Sequence, residues 1–273
     1  MNKALSSQPK SLNYIVRVLD IFEENGTAYY VMEYIDGMSL NDITKECGAL
    51  PEAEAVGYIR QVADALKYVH SLNRLHLDIK PGNIMVDKCG KAILIDFGAS
   101  KHYDDESGEN TSTLMGVNTT GYAPAEQTYR GFVQFSASTD IYALGATLYK
   151  LLTGITPPDA QMLKDGEVEL APLPTGVSAS VKSAVKEAMR PLRKDRPQSI
   201  EEFVVLLNES MRTNTQKEKA EKPFDAKDSV NHNRKLDNES TLLDLEDKFS
   251  SDVKELCAKT AQPTNPVGRG GGH

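Results

Sequence analysis

No apolar run in this 273-residue chain approaches the roughly 20 residues that crossing a bilayer takes. The N-terminus also lacks the apolar core of a secretory signal. Positive charge is in short supply. The 31 Lys and Arg are outnumbered by 39 Asp and Glu, for a net charge of −8, which argues against a nucleic-acid groove or an anionic membrane surface as the main partner. There are only three cysteines, Cys47, Cys89 and Cys257. Odd in number and far apart, they offer no disulfide framework, and a reducing cytoplasm is the expected location. Neither they nor the five histidines fall at metal-ligand spacing, so no structural zinc is expected. Internal repeats are missing as well.

What remains is 40% hydrophobic and 26% charged, enough for one or two domains with a core. Tyr14 to Phe22 is rich in β-branched residues, Glu23-Glu24-Asn25-Gly26 offers a turn, and Ala28 to Tyr34 resumes the strand pattern until Asp36-Gly37. A helix is signalled from Pro51, with Glu52 and Glu54 at its positive end and Ile59, Val62, Leu66 and Val69 on one face. Ile84 to Val86 and Ala92 to Ile95 predict two short buried strands around Lys88-Cys89-Gly90, and residues 99 to 120 an exposed loop. Thr139 to Leu152 is apolar nearly all round and stops at Gly154, the pattern of a helix buried mid-domain. Ser180 to Met189 and Ser199 to Met211 predict amphipathic helices, the last opened by a Ser199/Glu202 capping box. Residues 212 to 239 have too few apolar side chains to offset the entropy of ordering, and Arg269 to His273 is a flexible end. Leu242, Leu245, Phe249, Val253 and Leu256 follow helical spacing, which predicts a transient helix over 241–258; a docking helix with a partner of its own is the alternative.

The chemistry concentrates in His76-Leu77-Asp78-Ile79-Lys80-Pro81-Gly82-Asn83, followed thirteen positions after Asn83 by Asp96-Phe97-Gly98. A tight loop carrying Asp78 and Asn83, then a strand hairpin delivering Asp96, supplies one carboxylate to orient a hydroxyl and two oxygen ligands for magnesium. Phosphoryl transfer asks a protein for little more than such positioning and charge neutralisation. A lone D-x-x-x-x-N is common by chance, but the joined H-x-D-x-K-P-x-N and D-F-G is highly specific.

These segments resemble the bacterial, eukaryotic-like serine/threonine protein kinases, and further stretches match in order. Val31-Met32-Glu33-Tyr34-Ile35-Asp36-Gly37 resembles the hinge. Gly121 to Glu126 is similar to the A-P-E end of the activation segment, and Thr139 to Gly145 to the helix whose aspartate, Asp140, braces the catalytic loop. The resemblance covers residues 13 to 211 and implies an α+β protein-kinase-like fold: a mainly helical C-lobe, a remnant hairpin of the N-lobe and a disordered tail. It divides the chain into 1–35, 36–211 and 212–273, and implies ATP and Mg²⁺ with a protein substrate bearing a Ser or Thr acceptor. It makes Asp78 the base, Lys80 a γ-phosphate contact, Thr119 their link to the substrate loop, and Asn83 and Asp96 the metal ligands. Met32, Glu33, Tyr34, Ile35, Met85 and Ile95 border the nucleotide. His76, Phe97, Gly98, Glu126, Asp140 and Arg196 are structural, with Glu126 and Arg196 paired.

Two departures from the family pattern carry expectations. Leu77 stands where regulated kinases carry an arginine that meets a loop phosphate, so modification of Thr111, Ser112 or Thr113 is not expected to be the switch. Nothing before residue 13 resembles G-x-G-x-x-G, the strand lysine or its helix glutamate. The expectations that follow are weak ATP binding and near-background phosphoryl transfer by this chain alone, and apolar exposure at Ile15, Val18, Ile21 and Val31. The alternatives to a serine/threonine kinase are an inactive fragment of a longer kinase and a pseudokinase-like scaffold, although a scaffold would have no need of the intact Asp78, Lys80, Asn83 and Asp96.

Overall fold

The computed structural model describes residues 10–97, 101–102, 119–128 and 135–208. Thr111 to Thr113, Gly98 and the tail helix over 241–258 lie outside the described residues.

Strands β1 (Val18–Glu24) and β2 (Thr27–Met32) pair antiparallel, from Glu24 opposite Thr27 to Val18 opposite Met32. The turn between them puts Asn25 and Gly26 at φ 52° and 71°, the double left-handed conformation that Asn-Gly tolerates. The strand starts later than the β-branched run predicts. Lys10–Tyr14 is a 3₁₀ turn, and the next residues turn inward: Ile15 bridges Leu94, and the Val16 N–H donates to the Leu94 carbonyl at 3.0 Å. Ile15 is therefore half-buried against the core, whereas Val18, Ile21 and Val31 are exposed as expected. Every residue of β1 is exposed. The hairpin is held across its strands by stacked Phe22 and Tyr29, with ring centroids 5.1 Å apart.

Gly37–Ser39 forms β3, which the Asp36-Gly37 break hides in the sequence. It pairs with β5 (Ile84–Asp87), and β5 pairs with β6 (Ala92–Leu94). Alternation on β5 sends Ile84 and Val86 into the core and Met85 to the opposite face. Helix α1 (Leu40–Cys47), also unsignalled, is capped by Ser39.

Helix α2 (Glu52–Ser71) begins one residue after Pro51 and buries Ile59, Val62, Leu66 and Val69. Helix α4 (Ala137–Thr153) is the centre of the lobe, buried on nearly every side and closed by Gly154 in the left-handed conformation at φ 70°. Gly145 lets α5 (Ala179–Ala188) approach it, since a Cβ there would sit 2.6 Å from that of Ala188. A last helix over 200–208 completes the described core through Phe203 and Leu207. Its start departs from the expected capping box. Ser199 Oγ accepts the Glu202 N–H, but the Glu202 carboxylate takes the N–H of Gln198 rather than that of Ser199. Among the described residues no helix is long and apolar enough to cross a membrane.

Candidate active site

The loop that carries Asp78 leaves α2 through a left-handed Asn73 and the two-residue strand β4 (Arg74–Leu75), which pairs with β7 (Lys101–His102). Asp140, in the first turn of α4 and wholly buried, receives it. Its Oδ1 accepts the Leu77 N–H at 2.8 Å, and its Oδ2 accepts the His76 N–H at 2.9 Å and meets His70 Nε2 at 2.8 Å. Burial alone would raise the Asp140 pKa, but His70 and the donors from His76 outweigh it and hold the carboxyl below its ordinary value. Leu77 needs this support: its φ is 65°, a left-handed conformation costing a bulky L residue about 1–3 kcal/mol.

His76 is fully buried. Its Nδ1 accepts the Asp78 N–H at 3.3 Å and its Nε2 faces the Ile95 carbonyl at 3.2 Å, so one nitrogen accepts while the other must donate. That is a neutral ring protonated on Nε2. Burial agrees, pushing its pKa below the usual imidazole value despite the raising influence of Asp140. Phe97 packs edge-on against it at 4.7 Å. A depressed folded-state pKa means that the unfolded chain binds the proton more readily. The resulting stability is present above pH 6.5 and lost as pH falls toward the folded value. Between pH 7 and 5 the wild-type protein should lose up to about 1.4 kcal/mol per pH unit from this one group. Denaturant melts of His76→Gln across that range should lack this component, and an identical pH slope would refute it.

Three predicted residues converge on the carboxylate of a fourth, Asp78. Lys80 Nζ reaches Asp78 Oδ2 at 2.7 Å and Thr119 Oγ1 at 2.9 Å, and the Thr119 hydroxyl donates to Asp78 Oδ1 at 3.0 Å. Asn83 Nδ2 donates to Asp78 Oδ2 and to the Asp78 carbonyl, both at 2.8 Å. With its amide nitrogen committed there, the end of Asn83 left to meet a cation is Oδ1, the oxygen that magnesium prefers. The Ile95 N–H donates to the Asn83 carbonyl at 2.9 Å, tying the end of β6 to the loop. Asp96 follows, exposed and left-handed at φ 61°. A carboxylate and an amide oxygen on adjoining segments suit a hard, phosphate-bound cation. Among the described residues no three His, Cys, Asp or Glu side chains gather into a protein-only metal cage.

The nucleotide-side residues are more dispersed. Glu33 clasps the neighbouring chain, its N–H donating to the Arg17 carbonyl and its Oε1 accepting the Arg17 N–H, each at 3.0 Å. A cavity of about 300 Å³ is lined by Glu33, Tyr34, Ile35 and Ile93, without Met32, Met85 or Ile95. Tyr34 is 89% exposed.

Below the loop, Glu126 and Arg196 form the expected pair, Nη1 to Oε1 at 2.6 Å and Nη2 to Oε2 at 3.0 Å. Two residues with direct bonds to this framework escape sequence reading. His70 sits four positions beyond Leu66 on the buried face of α2, so helical periodicity could have found it. Gln127 lies in the single-turn helix α3 (Ala125–Thr128), too short to show a period.

This arrangement, a loop carboxylate flanked by a lysine, a threonine and an asparagine above a buried Glu–Arg pair, suits the positioning that phosphoryl transfer asks for. The description of the protein kinase domain matches residues 5–263, and the chain belongs to the protein kinase family. Several similar proteins carry serine/threonine specificity in their names. A probable serine/threonine-protein kinase of Clostridium perfringens is 38% identical over 143 residues, covering 52% of this chain and 20% of that protein. Serine/threonine-protein kinase F of Synechocystis is 34% identical over 180 residues, 66% of this chain and 36% of that one. Serine/threonine-protein kinase PrkC of Bacillus subtilis is 35% identical over 147 residues, 54% and 22% respectively. The chain thus spans 20% to 36% of the length of these relatives.

Proposed function

We propose that this protein transfers the γ-phosphoryl group of ATP to a Ser or Thr hydroxyl of a protein substrate in the cytoplasm, with residues 36–211 as the catalytic lobe and 1–35 as the hinge and N-lobe remnant. The observation that carries the reading is the convergence of Lys80, Thr119 and Asn83 on Asp78. Asp78 accepts the hydrogen bond of the substrate hydroxyl, aims its oxygen and takes its proton. Lys80 brings a positive charge to the side of that carboxylate where charge shifts during transfer. Thr119 fixes both, because its hydroxyl accepts from the lysine while donating to the aspartate. Asn83, through Oδ1, and Asp96 would hold Mg²⁺, which when bound offsets the charge of the phosphates. Met85 and Ile95 are proposed to border the nucleotide floor, and the backbone of Glu33 to Ile35 its adenine edge.

The test is nucleotide titration with and without Mg²⁺. Wild-type protein should bind ATP in a Mg²⁺-dependent manner. Asp96→Ala should weaken that binding by at least about tenfold, the scale seen even when only an outer partner of a metal is lost. Binding indifferent to both Mg²⁺ and Asp96 would refute the reading.

A further inference from the structure

Glu126 and Gln127 are consecutive, yet their side chains tie α3 to different parts of the lobe. Glu126 reaches the buried guanidinium of Arg196 and accepts from Thr139 Oγ1 at 3.3 Å. Gln127 Nε2 instead donates to the Leu77 carbonyl at 2.8 Å. A carbonyl can only accept, so the contact itself settles which end of the amide faces the loop. Leu77 is the left-handed residue immediately before Asp78. Its N–H is taken by Asp140, and its side chain, 3% exposed, packs with Leu75 and half-buried Phe135. Gln127 holds the remaining polar group of this residue. It is also the hold that comes from the end of the activation segment, from the same turn that Glu126 fixes to the helical core. Leucine at 77 has no charge with which to bind a phosphate, so a neutral amide-to-carbonyl bond links the two segments.

We propose that Gln127 is a positioning residue: by holding the Leu77 carbonyl it keeps the left-handed turn that orients Asp78, and so couples the activation segment to the catalytic loop. Its purpose rests on the kinase reading, but the coupling can be measured without phosphoryl transfer.

Amide hydrogen exchange on the full chain reads it directly. Gln127→Leu keeps the volume and removes the donor. It should raise exchange at the Leu77 and Asp78 amides by about tenfold or more, while amides in the middle of α2 and α4 keep their wild-type rates. Gln127→Glu, which has the same shape and no donor at neutral pH, should do the same. Gln127→Lys, which restores a donor, should return protection to within about threefold of wild type. Unchanged exchange at Leu77 and Asp78 in both donor-free variants would overturn the proposal. So would an equal rise across α4, or unfolding of both, since the residue would then serve stability alone. ATP binding indifferent to both Mg²⁺ and Asp96 in the parent protein would sink the kinase reading and leave the exchange result standing.

Discussion

Asp78→Asn is expected to lower kcat for phosphoryl transfer by about 10²–10⁴-fold in the full-length protein, with nucleotide affinity nearly unchanged. The substitution is isosteric, and the surrounding bonds tell the new amide how to sit. Lys80 Nζ and Asn83 Nδ2 are donors aimed at Oδ2, so the amide oxygen must stay on that side. The amide nitrogen then faces Thr119 Oγ1, which can turn from donor to acceptor. The loop should therefore keep its shape while losing the one basic lone pair that a substrate hydroxyl could use. Asp140, itself held by His70, and Gln127 act on the backbone of the preceding residues and are undisturbed. Single-turnover kinetics beside a nucleotide titration separates the two effects. Full transfer by Asp78→Asn would remove Asp78 from the role of base, and loss of nucleotide binding would mean that the loop had collapsed.

The residues that sequence reading found are those whose chemistry is tied to a fixed local spacing. Asp78, Lys80 and Asn83 sit within one tight loop, and the helix through Asp140 announces itself by being apolar all round. Arg196 and Glu126 lie seventy positions apart and came only through family resemblance. No periodicity links them, and the contact exists because α4 and the turn before residues 200–208 close on α3. What stayed hidden is short or conditional. The three residues of β3 become a strand only because β5 offers them a partner, and α1 gains its start from a single Ser39 cap. Residues 15 and 16 read as strand by composition, yet they leave the hairpin because the Leu94 carbonyl and the core are within reach. Gln127 is the clearest case. Its partner is a backbone carbonyl fifty positions away, and any amide or hydroxyl in a polar turn would look the same in the sequence.

Removing either member of the Glu126–Arg196 pair should cost about 3–5 kcal/mol of folding stability, because each would leave the other charge buried and unpaired. The guanidinium is wholly enclosed and the carboxylate nearly so. All five N–H groups of Arg196 are accounted for. Nε donates to the Arg190 carbonyl at 2.7 Å, Nη1 to Glu126 Oε1 and the Ser138 carbonyl, and Nη2 to Glu126 Oε2 and the Pro191 carbonyl. The cation also lies 4.8 Å from the ring centroid of Tyr142 on α4. Arg196→Ala therefore strands three carbonyls and a carboxylate at once, whereas Glu126→Ala leaves a guanidinium with two unmatched donors. In the double variant the unpaired charge is gone from both sides. Its cost should fall well short of the sum of the singles, with a coupling of about 1–3 kcal/mol in a double-mutant cycle. Arg196→Ala should be the worse of the two singles, since its loss also frees the ends of the 190–196 turn. Denaturant melts of the four proteins decide it. Two sub-kilocalorie losses that simply add would show that α3 is not held to the helical core through this pair.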